Sequence, residues 1–191
     1  DDTAWTLRRR AIKLLRLCGD TSAIVTIADV MNDSVPNVRQ EAAVAVMELA
    51  KQCTVEQKAA VAEVLASHMG GHQRVWQKHK ICAAALKEYP HAVAVKPLFD
   101  SLIHRVLNVQ EAAVSTLISY TDKDNPDLRK KVEDELYKVL DNRRYWEYGS
   151  RILGALTDPR AASWSITIIN KGNWRSQVGA LNAVEDIMTA E

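Results

Sequence analysis

The densest group of metal-ligating side chains lies in one short stretch. His68, His72, His79 and Cys82 fall within fifteen residues, and imidazole with thiolate is the ligand chemistry of a four-coordinate zinc site. The spacing argues against one. His68 and His72 straddle Gly70-Gly71, which breaks the chain, and Cys82 falls on the core side of a helix. No Cys-x-x-Cys pair accompanies them, so no metal is expected. A second group is acidic: Glu133, Asp134, Glu135 and Asp141, with Asp122 and Asp124. Lys130, Lys131 and Lys138 interleave at helical pairing distances, which reads as a solvated outer helix and not as two carboxylates set for acid–base work. There is no Gly-rich phosphate loop and no Gly-x-Ser-x-Gly elbow. Neither His91 nor His104 has an evident partner to orient it in a nucleophile triad. The expectation is a non-enzyme with no catalytic residue, no cofactor and no small-molecule substrate.

Two further residue types recur with a period. Trp5, Trp76, Trp146 and Trp174 each open an apolar run, while Trp164 lies later in one. Basic residues recur at the same places: Arg8-Arg9-Arg10, Arg39, Arg74 with Lys78 and Lys80, Arg143-Arg144, and Arg175. Buried, the tryptophans would cover the edge of the core. Exposed, the same row would be a ridge of aromatic and Arg anchors for a protein partner. Cations at helix starts oppose the helix dipole, so their recurrence there suggests retention for binding. The expected partner-binding residues are Trp5, Arg8, Trp76, Arg144 and Trp146.

The elements that position these residues are helices. In Trp5–Cys18, the residues Leu7, Ala11, Leu14, Leu15 and Cys18 recur at spacings of 3 and 4, one face that is expected to enter the core. Gly19-Asp20 ends that helix, and Thr21-Ser22 caps a second one to Met31. Asp33-Ser34 and Pro36 start a third, with core face Val38, Ala42, Val46, Leu49 and Ala50. Thr54 with Gln57 resembles a capping box for a fourth. Trp76 to Tyr89 is a fifth, closed by Pro90, and Ala92 to Arg105 a sixth, in which Pro97 marks a kink or a later start. Then come Val109–Tyr120, a helix from Asn125-Pro126 to Leu140, Arg144–Leu156, a helix capped by Asp158-Pro159 to about Asn170, and an eleventh from Asn173-Trp174. Only Ser165–Ile168 alternates like a strand, and a helix is due there.

The pattern repeats. QEAAV occurs at Gln40–Val44 and at Gln110–Val114, 70 residues apart, and Arg74-Val75-Trp76 recurs as Arg144-Tyr145-Trp146 at the same distance. Ala42-Ala43, Ala83-Ala84-Ala85 and Ala112-Ala113 let neighbouring helices approach closely. One helix pair cannot bury both its faces, whereas stacked pairs share a continuous core. The expected fold is all-α: an α-α superhelix of five helical hairpins plus a terminal helix, running as a single array over 1–191. Its units are 1–32, 33–70, 71–105, 106–141, 142–171 and a partial 172–191.

The stretches Pro36-Asn37-Val38-Arg39-Gln40-Glu41-Ala42-Ala43, Asn108-Val109-Gln110-Glu111-Ala112-Ala113 and Asn173-Trp174-Arg175 through Ala180, with Asp33 ahead of the first, resemble HEAT repeats. The resemblance covers nearly the whole chain. It departs where Trp5, Trp76 and Trp146 replace a Pro-Asn-Val entry. It implies an interaction scaffold that uses a concave face and a ridge of helix starts. A Trp near the first helix with basic residues in successive turns also resembles the TOG domains, HEAT arrays that bind tubulin.

Composition narrows the rest. The 191 residues are 47% hydrophobic and 26% charged, enough apolar surface for a core. Lys+Arg is 25 against Asp+Glu 24, a formal charge of +1, so a nucleic-acid partner is conceivable but not favoured. Seven Gly and five Pro are too few for an all-β chain. No apolar stretch suits a bilayer, and no membrane partner is expected. Three cysteines without framework spacing suit a reducing, cytoplasmic setting. A start at Asp1 without Met reads as a piece of a longer protein or a processed chain.

Overall fold

A computed structural model describes residues 4–69 and 76–189. Gly70, Gly71, His72 and Arg74, singled out above, lie outside the described residues. Within them there are helices and no strand. The helices are α1 Ala4–Cys18, α2 Ile24–Val30, α3 Pro36–Ala50, α4 Val55–Ser67, α5 Trp76–Ala85, α6 Val95–Ser101, α7 Leu107–Ser119, α8 Pro126–Val139, α9 Trp146–Leu156, α10 Pro159–Lys171 and α11 Trp174–Thr189.

Most start signals act as read, but the cap expected from Thr21-Ser22 is supplied by Asp20, whose Oδ1 accepts from the Ser22 N–H at 3.1 Å. Asn125 Oδ1 accepts from the Leu128 N–H at 3.2 Å, with Pro126 in the first turn. Asp158 Oδ1 accepts from Ala161 N–H at 2.8 Å, and Asn173 Oδ1 from Ser176 N–H at 3.0 Å. Each cap satisfies a donor that the first helical turn leaves orphaned. Gln57 Oε1 accepts from the Thr54 N–H at 3.0 Å.

Four elements begin later or end earlier than expected, one of them α5, which stops at Ala85 and not at Tyr89. 3-10 turns at Thr21–Ala23, Ala92–Ala94 and Arg143–Tyr145 precede α2, α6 and α9. Pro97 is the third residue of α6, where its missing N–H costs no intrahelical bond, so it marks a start and not a kink. The helix stops at Ser101, and His104 Nδ1 then accepts from the Val106 N–H at 3.0 Å, turning the chain toward α7.

The contacts cluster the chain into two compact units, Asp1–Pro97 and Leu98–Glu191. In the first, α1 packs on α3 and α3 on α5, while α2 packs on α3 and α4. In the second, α7 packs on α9 and α9 on α11, with α8 and α10 against α9. Within each unit, first helices therefore stack on first helices. The core of the first unit is built on Ile24, Ile27, Val38, Val46, Leu49, Leu65 and Leu86, and that of the second on Val109, Leu117, Val132, Leu136, Ile152, Leu153 and Leu156, all buried.

Two details of register depart from expectation. In α1 the stripe Leu7, Ala11, Leu14 and Cys18 faces solvent, Leu7 and Leu14 being 66% and 62% exposed. The packed face is Ile12 with half-buried Trp5, Arg8, Leu15 and Arg16. The repeated string also misleads by one residue. Val38, Ala42, Val46 and Leu49 of α3 are buried, and in α7 the buried set is Val109, Ala113 and Leu117, followed by Tyr120. These correspond at a separation of 71, not the 70 of the QEAAV identity. One residue turns a helix by about 100°, so Glu41 is buried and Glu111 exposed although the string is the same.

Candidate functional site

The five residues expected to form a ridge do not share one environment. Arg8 donates to Asp33 from Nε at 2.7 Å and from Nη2 at 3.2 Å, a two-point pairing that holds the Asp33 carboxyl below its ordinary pKa. Trp146 is 6% exposed. Its indole N–H donates to the Leu140 carbonyl at 2.7 Å, and the Arg143 guanidinium lies 5.2 Å from its ring centroid. A ring buried with its only donor satisfied offers a partner nothing, so Trp146 is a core residue and not a ridge contact. Trp5 and Trp76 are half-buried. Arg144 is exposed in its 3-10 turn, where its backbone N–H donates to Asn142 Oδ1 at 3.1 Å. The most exposed tryptophan is Trp174, at 69%, with Arg175 5.4 Å from its centroid. Its row was legible in the sequence, but no pattern there separates the exposed ring from the buried ones.

Many of the remaining cations tie one helix to the next. Arg9 reaches Glu41 at 3.2 Å, and Arg16 reaches Glu41 and Glu48 at 3.3 and 2.7 Å, joining α1 to α3. Arg151 pairs with Glu111 at 2.9 Å, joining α9 to α7. Arg160 of α10 pairs with Glu133 of α8 and sits 4.6 Å from the Tyr137 ring. The Tyr137 hydroxyl donates to Asp158 at 3.1 Å. Burial, then the Asp158 charge, pushes its pKa upward. Such pairs fix register between neighbours and are weakly stabilising where exposed.

Two clefts open on the first unit. A cleft of about 280 Å³ lies between α3 and α5, lined by Met31, Pro36, Ala43 and Ile81 with Arg39, Gln40, Gln77 and Lys78. Two cations and two amides rim an apolar floor, and no carboxylate is among the described lining residues. Arg39 is held in place by the Asp33 and Ser34 carbonyls at 2.7 and 3.0 Å. A second cleft, also about 280 Å³, is lined by Trp5, Thr6, Arg9, Arg10 and Lys13 of α1.

Among the described residues, His68, His79 and Cys82 do not come together with a further ligand as a metal site. His68 Nε2 lies 3.2 Å from Asp29 Oδ1. Burial, then the Lys78 charge, lowers the His68 pKa. His79 is buried, and burial pushes the Cys82 thiol up to about 12, so it is no thiolate at neutral pH. Among the described residues, no three His, Cys, Asp or Glu come together as a metal cage. No described helix is long and apolar enough to cross a membrane.

No family model matches the chain, and no curated protein does. Solved structures do. An engineered protein from a structural genomics consortium is 20% identical with a TM-score of 0.56, over 99% of this chain and 94% of that one. A second engineered protein from the same consortium is 18% identical with a TM-score of 0.52, over 99% and 93%. A designed armadillo repeat protein is 16% identical with a TM-score of 0.51, over 94% and 87%. The fold is a HEAT/armadillo-like α-solenoid. At these identities the likeness is one of fold alone.

Proposed function

We propose that this α-solenoid is a non-catalytic protein-interaction scaffold whose first unit takes a short acidic segment carrying one apolar side chain. The observation that carries this reading is the α3–α5 cleft. Its floor of Met31, Ala43 and Ile81 suits an apolar side chain, and Arg39 and Lys78 stand at its rim to meet carboxylates. An apolar floor favours a peptide over a phosphate backbone, since desolvating phosphate against Met and Ile has no compensation. The cation pair supplies steering and sign selection, and the buried apolar contact supplies retention.

Selection of a displayed random-peptide library on the folded chain tests this. The expected winners carry Asp or Glu around one apolar residue and lose at least tenfold in affinity on Lys78→Glu. Winners without acidic enrichment, or with equal affinity for the variant, sink the reading.

A second reading has one observation in its favour. Trp5 with Arg9, Arg10 and Lys13 places an aromatic face beside cations, the combination that holds single-stranded nucleic acid. It requires oligonucleotide binding that weakens steeply with salt. The near-neutral charge of the whole chain and the engagement of Arg9 by Glu41 make it the weaker of the two.

A further inference from the structure

The α3–α5 cleft does not stand alone. A smaller cleft of about 230 Å³ lies between α1 and α3, lined by Arg9 and Arg16 on one side and Asn37, Gln40, Glu41 and Val44 on the other. It shares Gln40 with the α3–α5 cleft and Arg9 with the α1 cleft. The three join into one strip across α1, α3 and α5, which pack side by side within the first unit.

The charge of the strip is one-sided. Arg9, Arg10, Lys13, Arg16, Arg39 and Lys78 line it, and Glu41 is the one carboxylate among its described lining residues. Glu41 is buried and already engaged by Arg9 and Arg16 at 3.2 and 3.3 Å. Arg10 and Lys13 are exposed at one end, and Lys78 stands at the other, beside the apolar floor. The whole chain carries only +1, so this excess of cations is local. Like charges in a row repel, and an anionic segment laid along them relieves that repulsion.

We infer that the acidic segment proposed for the α3–α5 cleft is extended and runs the length of this strip, from Lys78 across Gln40 to Arg10 and Lys13. The inference rests on that reading of the cleft and adds the conformation and reach of the partner. Packed helix axes lie about 8–10 Å apart, so the crossing from α5 to α1 covers roughly 16–20 Å. An extended chain rises about 3.3 Å per residue, so about six residues make the crossing. A helical segment of the same length reaches only about 9 Å. Asn37 and Gln40 are exposed at mid-strip, and their side-chain amides match the N–H and C=O groups of a peptide main chain. A phosphodiester backbone has no such donors.

Fluorescence anisotropy of labelled synthetic peptides on the full chain tests the crossing. The long probe has about eight residues, Glu throughout with one Leu near either end, and the short probe keeps about four residues around the Leu. Lys78→Glu weakens both lengths at least tenfold. Arg10→Glu/Lys13→Glu, at exposed positions where circular dichroism checks the fold, weakens the long peptide at least tenfold and leaves the short one unchanged. Lys51→Glu/Lys58→Glu reverses two exposed cations of the same unit outside the strip and changes neither. If Lys78→Glu weakens binding and Arg10→Glu/Lys13→Glu does not, the cleft reading stands and the crossing is overturned. Indifference to Lys78→Glu overturns both. Equal losses on Lys51→Glu/Lys58→Glu would reduce the effect to net charge and overturn the crossing. So would a single-stranded oligonucleotide that binds more tightly than the long peptide and is lost on Arg10→Glu/Lys13→Glu.

Discussion

Arg8 shows how a charged residue that reads as an anchor becomes part of the scaffold. Its guanidinium spans both oxygens of Asp33 on the loop before α3, and Asp33 Oδ1 also accepts from the Val35 N–H at 2.8 Å. His104 performs a similar turn-forming task with a titratable side chain. Burial, with a smaller contribution from the Arg105 charge, lowers its pKa below the ordinary 6.5. The unfolded chain then binds a proton more readily than the folded one. Stability is therefore full above about pH 6.5 and falls as the pH drops through that value toward the lowered folded pKa. His104→Asn keeps an acceptor for the Val106 N–H and flattens the fall in urea midpoint between pH 7 and 5. A residual slope remains from His68, whose pKa is lowered in the same direction. Parallel curves for the wild type and the variant would show that His104 is not the group responsible.

At the scale of the element, the same apolar periodicity has opposite consequences in α1 and α3. In both helices apolar residues recur every three or four positions, yet in α3 the stripe is core and in α1 it faces water. Leu49→Ala removes a fully buried side chain and costs about 2–5 kcal/mol, whereas Leu14→Ser changes stability by less than about 0.5 kcal/mol. Chemical denaturation of the two variants measures the contrast, and a comparable loss at both would mean α1 packs on its other face. The α9–α11 contact sets a further limit. A Cβ on Gly154 would lie 3.1 Å from the Ala183 Cα and 3.3 Å from its Cβ. Gly179 faces Ser150 just as closely. These two glycines, on facing helices, permit the approach that positions α11, and neither carries a sequence motif that announces it.

For the whole molecule, stability in a repeat fold is a sum over neighbour contacts, so each compact unit is held most firmly at its most surrounded helix. In Asp1–Pro97 that helix is α3, which contacts α1, α2 and α5; in Leu98–Glu191 it is α9, which contacts α7, α8, α10 and α11. Hydrogen exchange followed by mass spectrometry is expected to be slowest in the peptides of α3 and α9 and faster in α1 and the seven-residue α6. Uniform protection across all helices would contradict a neighbour-by-neighbour account.

Helix content, order and most boundaries were readable because they depend on local signals: Asn125-Pro126, Asp158-Pro159 and Asn173 satisfy the first-turn donors of the helix beside them. The stacking of hairpins was readable too, since a recurring apolar face needs a neighbour. Which face of α1 turns inward, which tryptophan is buried, and which arginine is already engaged were decided only in three dimensions. Trp146 and Trp174 open their helices alike, yet one is enclosed beneath the Leu140 carbonyl and the other stands in water. The face α1 turns inward and the engagement of its arginines depend on residues 25 to 32 positions away in sequence, as when Asp33, Glu41 and Glu48 draw in Arg8, Arg9 and Arg16. A one-residue shift rotates every side chain by about 100°, so an identical string such as QEAAV cannot say which of its members faces the core.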